Sequence, residues 1–295
     1  MSTAIPTTAS TPRDSLPPPP LPDTSARWAI FLDVDGTLLD LADDPLAVQP
    51  GSALLALLHA LHQALDGALA LVSGRELTDL DRLFAAPHWP AAGLHGLQLR
   101  HADGSCRNFA VAPAHQAHMR DVVRALATRF DGVQVEDKHA AVALHCRRAP
   151  AQLPALHEAA IAVMTQLPGY ELQPGNLVLE FKPSGMDKGR AVLELLQRAP
   201  FAGRQPVYLG DDLTDEHAFA SINAGHGLSV RIGMREPSLA AFTLPGPAAA
   251  EAWLTRVLHA LTQGAPIHAQ LPHGDPVEGA RADGERAEGN STRQP

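Results

Sequence analysis

Apolar residues along this chain recur in two rhythms. Short continuous runs, Trp28–Leu32, Leu69–Val72 and Val207–Leu209, read as strands covered on both faces. Between them the spacing switches to three and four. Leu54, Leu58, Leu61 and Leu65 form the buried stripe of a helix that starts near Pro50. That leucine row lasts barely two heptads, so it belongs to a core rather than a zipper. A helix around Glu76–Phe84 and a strand near Ala92–Leu94 follow. Strands alternating with helices predict right-handed βαβ crossovers and a parallel sheet, an α/β fold.

Residues 108–183 leave this rhythm. A helix over 114–130 carries Met119, Val122, Val123 and Leu126 on one face, and strands near Val133–Glu136 and Ala141–His145 follow it. A second helix over 154–167 includes Leu156, Ile161 and Met164. Strands near Tyr170–Leu172 and Leu177–Phe181 then flank the turn Pro174-Gly175-Asn176. The order αββαββ predicts a four-stranded sheet backed on one face by two helices, an α+β module inserted into the core. The core is then 26–107 plus 184–265, and the inserted cap is 108–183. Residues 1–25, with Pro17-Pro18-Pro19-Pro20, and 266–295, with few large apolar residues, are expected to be disordered or extended tails rather than packed segments.

Composition adds exclusions. At 295 residues and 45% hydrophobic content the chain is long and apolar enough for a full core in two domains. Its 23 basic and 32 acidic residues give a net charge of −9 with no basic tract, which argues against a nucleic-acid partner. No apolar stretch reaches the roughly 18 residues of a membrane span. A basic region followed by an apolar one is absent from the N-terminus, so secretion is not expected. Cys106 and Cys146 form no CxxC pattern and are expected as free thiols in a reducing, cytoplasmic compartment. The pairs His59/His62 and His115/His118 have helix-face spacing, but HExxH is absent and no matching Cys or acid supports zinc.

Chemistry collects where the strand runs end. Asp33-Val34-Asp35-Gly36-Thr37 follows the first run, and two acids directly after a buried strand are costly unless compensated. A strand-to-loop corner with Asp and Gly as turn formers is the alternative for this pentapeptide alone. Three later segments weigh against it. The second run ends in Ser73-Gly74-Arg75, and Asp187-Lys188-Gly189-Arg190 opens a helical stretch. The third run ends in Gly210-Asp211-Asp212-Leu213-Thr214-Asp215-Glu216. In open α/β sheets ligands sit in the crevice outside the carboxyl ends of the strands.

Roles follow from residue type. The Asp33 carboxylate can attack phosphorus to form an aspartyl-phosphate. Asp35 can protonate the leaving alkoxide and later deprotonate the attacking water. Mg²⁺ suits such hard oxygen donors, with Asp33 and Asp211 as carboxylate ligands and the Asp35 backbone carbonyl beside them. Ser73 can donate to the phosphoryl group and Lys188 can neutralise it. Asp215, one helical turn past Asp211, could hold a metal-bound water or orient Lys188. For Asp212, Asp215 and Glu216 the reading as helix N-terminal acids stays open. Gly36 permits a sharp turn and Thr37 adds a hydroxyl. His95, at a further strand end, could touch substrate or serve as a structural turn histidine.

The set DxDGT, a Ser after the second strand, a Lys opening a helix and GDDxTDE resembles the haloacid-dehalogenase-type phosphatases. Within that superfamily the chain resembles the trehalose-6-phosphate phosphatases, over roughly residues 27–260. The supporting segments are Gly93-Leu94-His95-Gly96, Val135-Glu136-Asp137-Lys138, His145-Cys146-Arg147, Leu179-Glu180-Phe181-Lys182-Pro183 and the long form GDDLTDEHAF ending at Phe219. Cys146 departs from the aromatic residue often found there in the family. The resemblance implies a Rossmann-like core whose inserted cap closes over the site and chooses the sugar. Glu136 and Lys138, His145 and Arg147, and Glu180 and Lys182 each stand two residues apart on cap strands, so each pair shares a face. With Gly36, Thr37, Ser73, Gly74, Arg75 and His95 from the core they form the expected substrate contacts, the solvated face being the plainer reading of each pair alone.

The resulting expectation is a Mg²⁺-dependent phosphatase hydrolysing trehalose 6-phosphate, the last step of trehalose biosynthesis. It would be a monomer working with a separate synthase rather than a fused one. Other capped sugar phosphatases, acting on sucrose 6-phosphate or mannosyl-3-phosphoglycerate, share the core motifs. A phospho-aspartate receiver or binding protein also uses an acidic pair, a hydroxyl and a Lys around Mg²⁺. It needs neither a cap nor a second acid two residues after the first.

Overall fold

The computed structural model describes residues 16–263 except for 24, 42–47, 87, 110 and 139. Strand β1 (Trp28–Leu32) is buried along its whole length, as its unbroken apolar run requires. Helix α1 (Ser52–Ala64) buries Leu54, Leu57, Leu58 and Leu61 and leads to β2 (Leu69–Val72), α2 (Leu77–Phe84) and β3 (Ala91–Gly93). Leu65, just past α1, is buried as well. Two short strands, β4 (Gln98–Arg100) and β5 (Cys106–Asn108), follow.

The cap then opens with α3 (Pro113–Ala127), β6 (Gln134–Lys138) and β7 (Ala141–His145). It continues through α4 (Leu153–Val163), β8 (Tyr170–Gly175) and β9 (Val178–Pro183). The chain returns to the core through α5 (Lys188–Leu196), β10 (Gln205–Gly210), α6 (Glu216–Ala224), β11 (Leu228–Ile232), β12 (Phe242–Leu244) and α7 (Pro247–Gln263).

Among the described residues the core sheet has the order β12-β11-β10-β1-β2-β3-β4-β5. It is parallel from β12 to β3, with β1 at the centre between β10 and β2. Register matters here: Leu32 lies opposite both Leu209 and Leu71, so the three chemistry-bearing strands end level with one another. The parallel expectation fails at one edge, where β4 and β5 add antiparallel. Strands of three residues are too short to show a period, although Asp103-Gly104, with Gly104 at φ +80°, is a hairpin signal.

The cap sheet is antiparallel with the order β6-β7-β9-β8. Its helices bury Met119, Val123, Leu126, Leu156 and Ala160 against Val142, Leu144, Leu179 and Phe181. Cys146 is fully buried in the same cluster. Ile161 points outward from α4 and is 55% exposed.

The N-terminal tail needs a correction. Pro19 and Pro22 are buried, the Trp253 indole N–H donates to the carbonyls of Pro19 and Pro20 at 3.2 Å, and Thr243 N–H donates to Pro17 at 3.1 Å. A proline run offers carbonyls with no N–H of its own to satisfy, and a buried indole needs such an acceptor. The segment is extended and packed. Residues 1–15 and the expected C-terminal tail at 266–295 lie outside the described residues.

Candidate active site

The loop after β1 folds back on itself. Asp33 N–H still donates to Leu209 across the sheet at 3.0 Å, while Leu38 N–H returns to Val34 at 2.8 Å and Gly36 N–H to Leu39 at 2.7 Å. Gly36 sits at φ +83°, and a Cβ there would lie 2.1 Å from Asp211 Oδ2. Glycine is required on both counts, and the bare Cα lets the two acidic loops close together.

Three carboxylates converge at this point. Ligand oxygens of Asp33, Asp211 and Asp215 lie within 4.8 Å of one another. Lys188, the first residue of α5, reaches Asp33 Oδ1 and Asp215 Oδ1, each at 2.8 Å. Asp215 is fully buried and saturated. Its Oδ1 also accepts from Tyr208 OH at 2.6 Å, and its Oδ2 accepts the N–H groups of Asp211 at 3.1 Å and Asp212 at 3.0 Å. Asp212 acts as a helix cap, accepting from Leu213 N–H, while Glu216 bonds Arg235. The helix-terminal reading thus holds for Asp212 and for Glu216 in the first turn of α6, and Asp215 combines capping with a bond to Lys188.

The charges are unbalanced. Burial pushes the Asp33 carboxyl well above the usual range, the Asp215 and Asp211 charges add to that, and Lys188 offsets it only in part. Burial and Asp215 likewise push Asp211 up to about 7. Burial opposes the Lys188 charge, but Asp215 and Asp33 overcome it and hold its pKa well above the ordinary lysine value. The excess of hard, anionic oxygen over positive charge fits a divalent cation such as Mg²⁺, which takes one or two carboxylates beside waters and phosphate oxygens.

Around this cluster stand the other core residues. Ser73 is buried and its Oγ accepts Arg75 N–H at 3.2 Å. Arg75 clamps Asp35 with both arms of its fork, at 2.7 and 2.6 Å. Thr37 Oγ1 is 3.4 Å from both Asp33 and Asp211.

The cap contributes from one face of its sheet. Cross-strand partners share a face, and Glu136 lies opposite Ala143, which lies opposite Glu180. Glu180 is buried and meets Lys138 Nζ and His95 Nε2, both at 3.3 Å. Lys138 also donates to the Gly74 carbonyl at 3.4 Å, so the cap grips the Ser73 loop directly. Burial raises the Glu180 carboxyl, yet Lys138 and His95 outweigh it and leave it well below the usual range. Burial lowers the His95 pKa, with Glu180 only partly offsetting that. Glu180 Oε1 and His95 Nδ1 are buried with no hydrogen-bond partner among the described residues. His145 pairs with Glu136 at 2.8 Å, and Arg147 is half-buried just beyond it.

Lys182 is placed differently from its expected role. It is fully buried, and its Nζ contacts the Met186 carbonyl and Glu171, each at 2.5 Å. It braces the return segment that leads to Lys188 rather than presenting a free charge. Neither histidine pair forms a metal cluster among the described residues: His59 and His62 pack on the Trp89 ring at 4.8 and 4.6 Å. A cavity of about 360 Å³ at the core–cap seam is lined by Glu76, Gln98, Asn108, Phe109 and Gln116, with none of the motif acids on its wall. Sequence reasoning missed Tyr208 and Arg235. Tyr208 reads as one more apolar residue of its strand, and no local pattern marks Arg235.

Solved structures share this architecture. The C-terminal domain of the trehalose-6-phosphate phosphatase of C. albicans matches with a TM-score of 0.70 at 22% identity, over 79% of this chain and 93% of that one, a likeness of fold. What these structures share with the chain is the fold, a mainly parallel core sheet with a separate four-stranded antiparallel sheet as its cap. The family model described as trehalose-phosphatase matches residues 31–247. The chain is 44% identical over 213 residues to the probable trehalose-phosphate phosphatase of Sinorhizobium fredii, covering 72% of this chain and 80% of that protein. It is 38% identical over 242 residues to the trehalose-6-phosphate phosphatase of Escherichia coli K12, covering 82% and 91%. The chain belongs to the trehalose-phosphatase family.

Proposed function

We propose that this chain is a Mg²⁺-dependent phosphatase that hydrolyses trehalose 6-phosphate to trehalose and phosphate. The reading is carried by the cluster of Asp33, Asp211, Asp215 and Lys188 at the level strand ends, roofed by the charged face of the cap. Asp33 attacks phosphorus, the bond from phosphorus to the sugar oxygen breaks, and Asp35 supplies that oxygen's proton. Water then attacks the aspartyl-phosphate, Asp35 takes the water's proton, and phosphate leaves with Asp33 restored. Arg75 holds the Asp35 carboxyl group in place, and Asp35 leaves this clamp in its protonated form to carry the proton to the sugar oxygen. Ser73 and Lys188 hold the phosphoryl oxygens, and Asp215 keeps Lys188 charged and aimed. When bound by Asp33, Asp211 and the Asp35 carbonyl, Mg²⁺ supplies positive charge to the phosphoryl group.

The sugar faces the cap. Glu180 Oε1 and His95 Nδ1, buried and unpartnered among the described residues, are suited to sugar hydroxyls, with Glu136, Lys138 and His145 on the same cap face and Arg147 in the turn just past it. Gly36, Thr37 and Gly74 line the phosphate side. We place the enzyme in the cytoplasm as a monomer receiving substrate from a separate synthase. Two free thiols support a reducing compartment, and no helix of the described residues is long and apolar enough to cross a membrane.

Phosphate release from a panel of sugar phosphates, with Mg²⁺ or chelator and with Asp33→Asn, tests the reading. Trehalose 6-phosphate should be turned over fastest, and chelator or Asp33→Asn should abolish release. Faster turnover of glucose 6-phosphate, sucrose 6-phosphate or mannosyl-3-phosphoglycerate would refute the substrate. Chelator-resistant activity would refute the mechanism.

A further inference from the structure

Arg235 lies in the loop after β11, outside every motif, yet its guanidinium straddles the backbone of the Asp211 loop. Nε donates to the Asp211 carbonyl at 3.2 Å, and Nη2 donates to the Asp212 carbonyl at 3.2 Å and to Glu216 Oε1 at 2.5 Å. Nη1 donates to the Pro237 carbonyl at 3.3 Å. The fork is itself anchored, because Glu216 Oε2 accepts the Leu239 N–H at 2.7 Å. On the opposite side of the same two residues, the N–H groups of Asp211 and Asp212 both donate to Asp215 Oδ2. One short backbone stretch is therefore held on its N–H side by a carboxylate and on its C=O side by a guanidinium. Rotation of either residue would break bonds on both sides.

Such a clamp has a physical purpose. Three carboxylates confined within 4.8 Å repel one another, and Asp211 is the most exposed of them. On a free loop it would swing toward solvent and leave Asp33 to face the cation alone. A planar fork with five donors can span two successive carbonyls and a carboxylate, whereas a lysine offers a single point of attachment. We propose that Arg235 is a positioning residue for divalent-cation binding, holding the Asp211 carboxylate beside Asp33 through the backbone. This inference rests on the cation role proposed above for Asp33 and Asp211.

Direct calorimetric titration with Mg²⁺, together with the Mg²⁺-induced shift in melting temperature, tests it on the wild-type chain, Asp211→Asn, Arg235→Gln, Arg235→Lys and Glu216→Gln. Losing a partner that orients a metal ligand costs about tenfold to a hundredfold in affinity, so Arg235→Gln should weaken Mg²⁺ binding by that factor. Arg235→Lys should recover little of it, and Glu216→Gln should fall between. KM for the sugar phosphate at saturating Mg²⁺ should stay at its wild-type value, which a general loosening of the fold would not leave intact. If Arg235→Gln does not fold, Arg235→Lys and Glu216→Gln decide the matter, and wild-type affinity in both overturns the clamp. A wild-type chain that binds no Mg²⁺ overturns the cation role and this inference together. Binding that is lost in Asp211→Asn but unchanged in Arg235→Gln overturns the clamp alone.

Discussion

Asp215 accepts from four donors at once: the Lys188 ammonium, the Tyr208 hydroxyl and the backbone N–H groups of Asp211 and Asp212. An amide has only one accepting end, so Asp215→Asn must turn an NH₂ group toward donors on one side. Hydrogen bonds to charged groups are worth about 1.5–3 kcal/mol each, and we expect that substitution to lose about 2–3 kcal/mol after relaxation. Chemical denaturation in chelator measures this, and turnover should fall with it because Lys188 loses its aim. Asp211 gives a second expectation. Its carboxyl is held up to about 7 in the metal-free protein, so its stabilising contribution is complete below the ordinary carboxylate pKa of 3.8 and is lost as pH rises through about 7. Mg²⁺ binding needs the ionised form. Binding at pH 6 should therefore release more protons than binding at pH 8. Calorimetry at each pH in two buffers of different ionisation enthalpy shows this directly, and buffer-independent heat at pH 6 would contradict it.

At the scale of elements, the approach of α5 to α6 decides where Lys188 stands. Gly189 allows that approach: a Cβ there would lie 2.4 Å from the His217 carbonyl oxygen and 2.7 Å from Ser221 Oγ. Backbone cannot yield as a side chain can, so Gly189→Ala must push the helices apart, at about 1–3 kcal/mol. A lower melting temperature together with a lower kcat is the expected outcome; an unchanged kcat would mean that Lys188 is not placed by this contact. The sequence marked Lys188 by its place at the start of a helical stretch, as it marked the acids, but assigned Gly189 no role of its own. Polar chemistry directly after a buried apolar run is legible because the run must stop where the site begins. The β4–β5 hairpin was not legible, being too short for periodicity. Lys182 shows a different limit. Spacing correctly put it on the same face as Glu180, but its engagement depends on the Met186 carbonyl in the return segment, which no spacing rule describes.

For the whole molecule, the N-terminal segment is part of the folded core rather than an appendage. Trp253 stacks with Trp28, the first residue of the central strand, at 6.1 Å between ring centroids, and its indole N–H is satisfied by Pro19 and Pro20. A chain beginning at Ser25 leaves that indole without its carbonyl partners and opens the face beneath Pro19 and Pro22. We expect a lower melting temperature and red-shifted tryptophan emission relative to the full chain, and identical spectra and melting would show the segment to be dispensable.

Three carboxylates gathered round a single lysine, which pairs with Asp33 and Asp215, also bear on the order of events. A phosphate monoester arrives as an anion, and each pair of like unit charges about 4 Å apart costs about 4 kcal/mol at an effective dielectric near 20. Without a cation, each ionised carboxylate of the cluster therefore opposes the arriving anion. On the cation role proposed for Asp33 and Asp211, the cation should enter before the phosphate and should stay as the products leave. In chelator, orthophosphate binding should be undetectable by calorimetry and should emerge on adding Mg²⁺; equal binding in both would break that order. Ion supply would then work as an admission rule: the concentration of free cation, before any property of the sugar, would set how many copies of the enzyme are open for use.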